Sequence, residues 1–323
     1  MVNDVFGIGN PLVDILVDVE ESFLEELNLN KGQFHLVDNE KMQAIMLKID
    51  PEKITMAPGD STANTLAGVA NLGGSSVFCG KVGDDDHGVY YDTKLNEGNV
   101  ISKIKQADLP TGKAFCFITS DSERTFVVYL GAALTLSKED IVEEDVKDCK
   151  IVHLTGYQLE DPNLRETSLH LLQLAKKHNK LVSVDLADPG VVQRCKDDLK
   201  KIVKENVDIL FANETEAQAF TGEKDPLQAL NILTDYANIA IVKVGADGSY
   251  ISDNGALTTV EGVKANAIDT TGAGDMYAAG ILYGMTHDLD FETAGKIASY
   301  AAAKVVEQKG ARLSEKVDVK GFI

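Results

Sequence analysis

Asp269-Thr270-Thr271-Gly272-Ala273-Gly274-Asp275 is the stretch from which the rest of this 323-residue chain can be read. It follows an alternating apolar run and opens a helix of small residues, so a glycine-bearing loop passes directly into a helix N-terminus. The first N–H groups of a helix have no internal partner, and the aligned peptide dipoles leave about half a positive charge there. Glycine lets backbone approach a ligand without Cβ interference. The stretch is expected to hold a phosphate group, with the acid Asp275 placed where it meets the proton of a hydroxyl. The plainer reading of Asp275 is a helix cap, since Asp is a favoured capping residue.

Moving outward, strand-like and helix-like segments alternate. Val5 to Gly9, Val77 to Val82, Ile151 to Thr155, Leu181 to Asp185, Ile209 to Ala212 and Ile239 to Val244 are short apolar runs of the buried parallel type. Between them lie stretches of helical period: Ser61 to Leu72, Gly88 to Glu97 and Leu164 to His178, with Phe291 to Val306 near the end. Such alternation predicts an α/β fold, a doubly wound and mostly parallel sheet flanked by helices. Two regions break the rhythm with half-polar alternation, Leu12 to Val37 and Lys113 to Tyr129. They predict a small β-sheet lid, the alternative being two unrelated surface hairpins. The expected division is a large domain of residues 1–11, 38–53, 59–110 and 132–323, and a discontinuous lid of 12–37, 54–58 and 111–131.

Composition narrows the partners. Asp and Glu number 51 against 31 Lys and Arg, a formal charge of -20, which repels nucleic acid and anionic membrane surfaces. Neither is expected as a partner. The four cysteines are widely spaced with no CxxC pair and read as reduced packing residues, and the six histidines lack metal-ligand spacing. Met1-Val2-Asn3-Asp4-Val5 carries no basic leader, and the apolar stretch Met276 to Met285 is too short to span a bilayer, so a cytoplasmic protein is expected.

The seven-residue stretch resembles the C-terminal signature of the ribokinase-like PfkB carbohydrate kinases, a family that includes ribokinase, fructokinases and adenosine kinase. Further matching stretches stand in the family's order: Gly9-Asn10-Pro11-Leu12-Val13-Asp14-Ile15, Gly59-Asp60-Ser61-Thr62-Ala63-Asn64, Gly80-Lys81-Val82-Gly83-Asp84-Asp85, Asn213-Glu214-Thr215-Glu216 and Val242-Lys243-Val244-Gly245-Ala246-Asp247-Gly248. The first two look closer to the adenosine kinase branch.

The resemblance implies an ATP- and Mg²⁺-dependent kinase acting on a primary hydroxyl of a ribose-like substrate, either a nucleoside or a sugar. It implies Asp275 as the base, with the amides of Gly272, Ala273 and Gly274 around the migrating phosphoryl group. Because a helix N-terminus stabilises a carboxylate, Asp275 is expected to have a lowered pKa. Asn213 and Glu216 match the family's NxxE element, which organises Mg²⁺ through water, though the same spacing is that of a plain capping box. Asn213, Gly245, Gly248 and Thr271 are implied around the nucleotide.

On the acceptor side, the resemblance implies Asn10, Asp14, Gly59, Asp60, Asn64 and Arg124. A carboxylate such as Asp14 suits two neighbouring hydroxyls, its bland reading being an exposed loop acid. Asp60 departs from the family pattern, which has a second glycine there, and it either faces the substrate or points away. Arg124 matches a lid arginine that approaches the phosphates, or else is an ordinary hairpin residue. A monovalent cation such as K⁺ is a family habit, with Asp269, Thr271 and the Gly310 loop as donors. Phe115, Phe117 and Phe126 on the lid are candidates for stacking a purine, or for packing on their own domain. Association through the lid sheet's edges, or a monomer, both fit. A non-catalytic sugar- or nucleotide-binding protein of the same fold is the reading from another class. A P-loop mechanism is excluded, because Gly80-Lys81 is followed by Val82, which has no hydroxyl for a metal.

Overall fold

The computed structural model describes residues 2–121 and 123–322. Its main sheet has nine strands, in the spatial order Ala256–Glu261, Gly248–Asp253, Ile239–Lys243, Ile209–Asn213, Leu181–Asp185, Cys149–Thr155, Asn3–Ile8, Ser76–Cys79 and Ile101–Ser102. From Ile239–Lys243 onward every pairing is parallel, and the first two strands form an antiparallel hairpin at the edge. Two apolar cores lie on the two faces of this sheet. One gathers the helices Ser61–Asn71, Ala273–Thr286 and Phe291–Val306, and the other the helices Pro162–Lys177, Lys196–Asn206 and Pro226–Leu233. This is the doubly wound α/β arrangement, and ligands in such sheets gather beyond the carboxyl ends of the strands.

Two local departures from the sequence reading have clear causes. The run Val77 to Val82 is broken at Gly80, where a Cβ would lie 2.8 Å from Pro11, and Lys81–Gly83 leaves the main sheet to pair with Lys105–Ala107. The edge hairpin was not expected from the alternation, because its outer strand is half exposed and lacks a continuous apolar run. Its signal was the turn dipeptide Asn254-Gly255, both residues having positive φ.

A separate five-stranded sheet, in the order Phe34–Leu36, Arg124–Tyr129, Gly112–Ile118, Leu12–Asp18 and Thr55–Pro58, is built from the segments expected in the lid. Its strands alternate faces. Val13, Ile15, Val17, Phe115, Phe117 and Val127 are buried on one side, where Phe115 and Phe117 stack at 5.4 Å and Phe23 of the helix Glu21–Glu26 meets Phe117 edge-on. The helix Asn39–Met46 packs against the Arg124–Tyr129 strand with Met42 and Ile45 buried. The helix within the segment 38–53 therefore packs on the small sheet, where its apolar face finds cover.

The helix Ala273–Thr286 is held at very short range. A Cβ on Gly280 would stand 2.4 Å from Ala298 Cα, and one on Gly284 2.4 Å from Ala294 Cβ, so small residues let this helix and Phe291–Val306 cross nearly backbone to backbone. Gly68 of the helix Ser61–Asn71 approaches Ala279 in the same way.

Candidate active site

Parallel strands deliver their last residues to one edge of the sheet. Asp185, Asn213 and Lys243 each end a strand there, and with Glu216, Gly274 and Asp275 they line one end of a cavity of about 920 Å³. The lining also includes Val263, Ala302 and Val306 together with Lys264, Asn266 and Glu307, with Gly245 and Gly248 on the wall. That size is ample for a ligand as large as a nucleotide.

At the phosphate end Gly272 takes φ +79, and a Cβ there would stand 2.5 Å from the Ala311 carbonyl oxygen, so the turn requires glycine. The Ala273 amide turns inward to the Thr270 carbonyl at 3.3 Å. Among the described residues the Gly274 and Asp275 amides have no backbone acceptor and are free for an anion. Asp275 does not cap its own helix. It accepts the Ser61 hydroxyl on one oxygen and Asn64 Nδ2 on the other, at 3.0 Å. Its carboxyl is raised above the ordinary value because desolvation outweighs the Ser61 and Asn64 hydrogen bonds. The expected lowering by the helix terminus is overturned, and Asp275 is the stronger base for it.

Sequence reading missed the cation here. Lys243 Nζ stands 3.1 Å from where a Gly274 Cβ would be, and bonds Asp185 at 2.6 Å, both side chains nearly buried. Burial pulls the lysine pKa down, but the Asp185 and Glu216 charges more than offset it, so the ammonium is retained. Apolar Val242 and Val244 on either side and the strand-terminal position were the available signals. Asn213 and Glu216 do form the reciprocal capping box, with Asn213 N to Glu216 Oε2 at 2.8 Å and Glu216 N to Asn213 Oδ1 at 2.9 Å, yet both also face the cavity. Burial raises the Glu216 carboxyl above its ordinary value.

On the acceptor side, Asp14 lies within the lid strand Leu12–Asp18 rather than in a loop, its carboxylate against Gly59, where a Cβ would stand 2.5 Å from Oδ1. No donor among the described residues reaches that carboxylate, and desolvation pushes it up to about 7. Asn10 Oδ1 is buried and likewise unpartnered. Asp60 turns away from the acceptor side. At φ +77 it occupies the conformation glycine would take, caps the helix Ser61–Asn71 through Ala63 N at 2.8 Å, and holds Asn10 N at 2.7 Å.

Asp269, Thr271, Gly310 and Arg124 form a latch. Arg124 Nη2 meets Asp269 at 3.1 Å and Nη1 meets Thr271 Oγ1 at 2.9 Å, bringing the lid onto the phosphate loop. Asp269 also accepts Thr271 N and Oγ1 and Gly310 N, and although its burial opposes it, these donors hold its carboxyl down at about 2. Thr271 thus lies in the lid contact and outside the cavity lining. The side chains expected around a monovalent cation are bonded to one another. Phe115 and Phe117 are on the covered face of the lid, and of the three candidate aromatics only Phe126 shares the face of Asp14. The four cysteines are buried and free, and no described helix is long and apolar enough to cross a membrane.

A doubly wound sheet whose strand ends set a desolvated carboxylate beside unpaired helix amides is an arrangement suited to a phosphotransferase with an alcohol acceptor. The pfkB family carbohydrate kinase model matches residues 35–318, and the chain belongs to that family. It is 32% identical to a Sinorhizobium meliloti adenosine kinase structure, with TM-score 0.88 over 98% of this chain and 97% of that one. A probable sugar kinase from Rhizobium etli superposes with TM-score 0.91 at 31% identity, covering both chains fully. Among curated proteins, 5-dehydro-2-deoxygluconokinase of Bacillus subtilis is 29% identical over 77% of this chain and 81% of its own length.

Proposed function

We propose that this kinase uses Mg·ATP to phosphorylate the primary hydroxyl of a nucleoside. The observation that carries the nucleoside over a bare sugar is the face on which Asp14 sits. The register places Leu16, Cys116, Phe126 and, one strand further, Phe34 on that face, with Ala114, Val128 and Leu36 alongside. Phe34 and Leu36 are each 63% exposed and Phe126 37%. An uncovered apolar surface beside a carboxylate with no donor suits a ligand that has a diol at one end and a flat base at the other.

The roles follow from the contacts. Asp14 accepts the two ribose hydroxyls, and Asn10 Oδ1 accepts a further donor. Asp275 receives the proton of the attacking hydroxyl, a task suited to a carboxylate whose affinity for protons has been raised. The amides of Gly274 and Asp275, with Lys243 Nζ, face the charge of the transferring phosphoryl group. Asn213, Glu216 and Asp185 offer hard oxygens on the phosphate side of the cavity, and no cage of three acidic, His or Cys ligands occurs among the described residues. That donor set fits Mg²⁺ carried by phosphates and water, where it would neutralise phosphate charge. Two supports for the substrate class are the likeness to the Sinorhizobium enzyme and the uncovered face.

The test is a panel of adenosine, inosine, guanosine, ribose and fructose with Mg·ATP, reading ADP release. Higher kcat/KM for a nucleoside than for either free sugar is expected. A higher value for ribose or fructose overturns the nucleoside assignment.

A further inference from the structure

Arg312 enters the site from a part of the chain to which no motif points. Its Nε donates to Asn64 Oδ1 at 2.9 Å and its Nη2 to the Gly59 carbonyl at 3.1 Å, while the guanidinium lies 5.9 Å from the Tyr91 ring centroid. Tyr91 in turn donates its hydroxyl to the same Gly59 carbonyl at 3.0 Å. Nη1 is buried without a partner among the described residues.

Arginine carries five donors and no acceptor, whereas an asparagine amide offers either end. A guanidinium at 2.9 Å therefore demands the amide oxygen, and the Nδ2 end is left to face Asp275 Oδ2, to which it donates at 3.0 Å. We propose that Arg312 is a positioning residue for the base: it holds the Asn64 amide in the orientation that donates to Asp275. The proposal rests on the kinase reading only for its kinetic consequences.

Without Arg312 the amide is free to turn over. Asp275 then loses one of the two hydrogen bonds that oppose its desolvation. The charged and titratable groups around it are Asp185 and Lys243 from the neighbouring strand ends, Asp60 ahead of the Ser61 helix, and Tyr157. Of these only Lys243 favours the carboxylate, so losing Asn64's donation raises the base further and protonates it at higher pH.

The variants are R312M, N64L and the double, assayed with Mg·ATP and the best acceptor of the panel. R312M is expected to lower kcat by about 10-fold or more, to leave the ATP KM within about twofold, and to move the acid limb of kcat/KM upward by about half a pH unit or more. In the double variant R312M should add nothing to N64L, since the two act in series. Multiplying losses, or wild-type kcat and acid limb in R312M, overturn the proposal. R312K guards against a folding failure of R312M. A single ammonium does not span both Asn64 and Gly59, so a several-fold kcat loss is expected, and unchanged kinetics overturn the proposal. Carboxyl ¹³C NMR of Asp275 in wild type and R312M needs no turnover. An unshifted titration there sinks the Arg312 proposal, whereas a wild-type protein that phosphorylates nothing sinks the kinase reading.

Discussion

The two ends of the site are finished to different degrees. At the phosphate end Lys243 is paired with Asp185, Glu216 is locked in its capping box, and Asp275 is bonded by Ser61 and Asn64. At the acceptor end neither Asp14 nor Asn10 Oδ1 has a donor among the described residues, and the lid shows Phe34 and Leu36 to solvent. The side chains of Lys243, Glu216 and Asp275 are paired before ligand arrives while the Gly274 and Asp275 amides stay open to an anion, so this end is preorganised for charge that develops during transfer. Unsatisfied buried groups at the other cost free energy that a hydroxyl-rich ligand recovers on binding. The proposed mechanism puts chemistry at the finished end and selectivity at the unfinished one.

Substitutions divide along the same line. Asp275→Asn should lower kcat by about 10²–10⁴-fold while ATP affinity holds, measured by steady-state kinetics and nucleotide titration. Retained kcat would remove Asp275 from the chemistry and with it the contrast. Lys243→Met should cost about 10²–10³ in kcat, the scale for losing a preorganised charge partner of the transition state. It also leaves Asp185 buried without its counter-charge, a loss of about 3–5 kcal/mol in denaturant unfolding. The double variant with Asp185→Asn should recover part of that stability and none of the activity.

Asp14→Asn, at the acceptor end, should raise the acceptor KM roughly 10-fold or more with a smaller change in kcat, as expected for a charge-assisted hydrogen bond. The contrast sharpens if kcat instead falls as far as with Asp275→Asn, because the two ends would then act as one unit. The smallest effect is expected from Arg124→Ala. Its pair with Asp269 is one-third exposed on the arginine side and screened, so unfolding stability should change by less than about 1 kcal/mol. Any effect should appear in the ATP KM, through the loss of the latch.

The pH dependence follows from the carboxyls that desolvation raises. A carboxyl raised in the folded state holds its proton there when the unfolded chain has released it, so its contribution to stability falls as pH rises. For Asp14 and Asp60, both pushed up to about 7, the fall spans roughly pH 4 to 7. Asp60→Asn should flatten that part of a plot of melting temperature against pH, and an unchanged slope would deny the burial that raises it. Activity moves the other way, because Asp275 must be deprotonated to accept a proton. The acid limb of kcat/KM should lie above the ordinary carboxylate range.

The turn that opens the Ala273–Thr286 helix was legible because it is built by backbone, and glycines at fixed offsets leave a mark in sequence. The parallel strands were legible through their continuous apolar runs. Lys243 and Asp185 were not, since one lysine and one aspartate at strand ends pair only after the sheet sets their strands two apart. Arg312 was hidden for the same reason, standing 248 positions from Asn64 in the chain. Asp60 read as a departure from pattern, and only its positive φ shows an acid doing a glycine's conformational work while capping a helix. The direction of the Asp275 shift was misread because a helix dipole is visible in sequence and desolvation is not.

The glycine seam behind the base has a mechanical consequence. With Gly280 and Gly284 set against Ala298 and Ala294, the helix that carries Asp275 has no slack in which to slide or tilt. That helix is an anvil, and whatever movement a turnover cycle demands falls to the lid, which the one-third-exposed Arg124 ties to the Asp269–Thr271 loop.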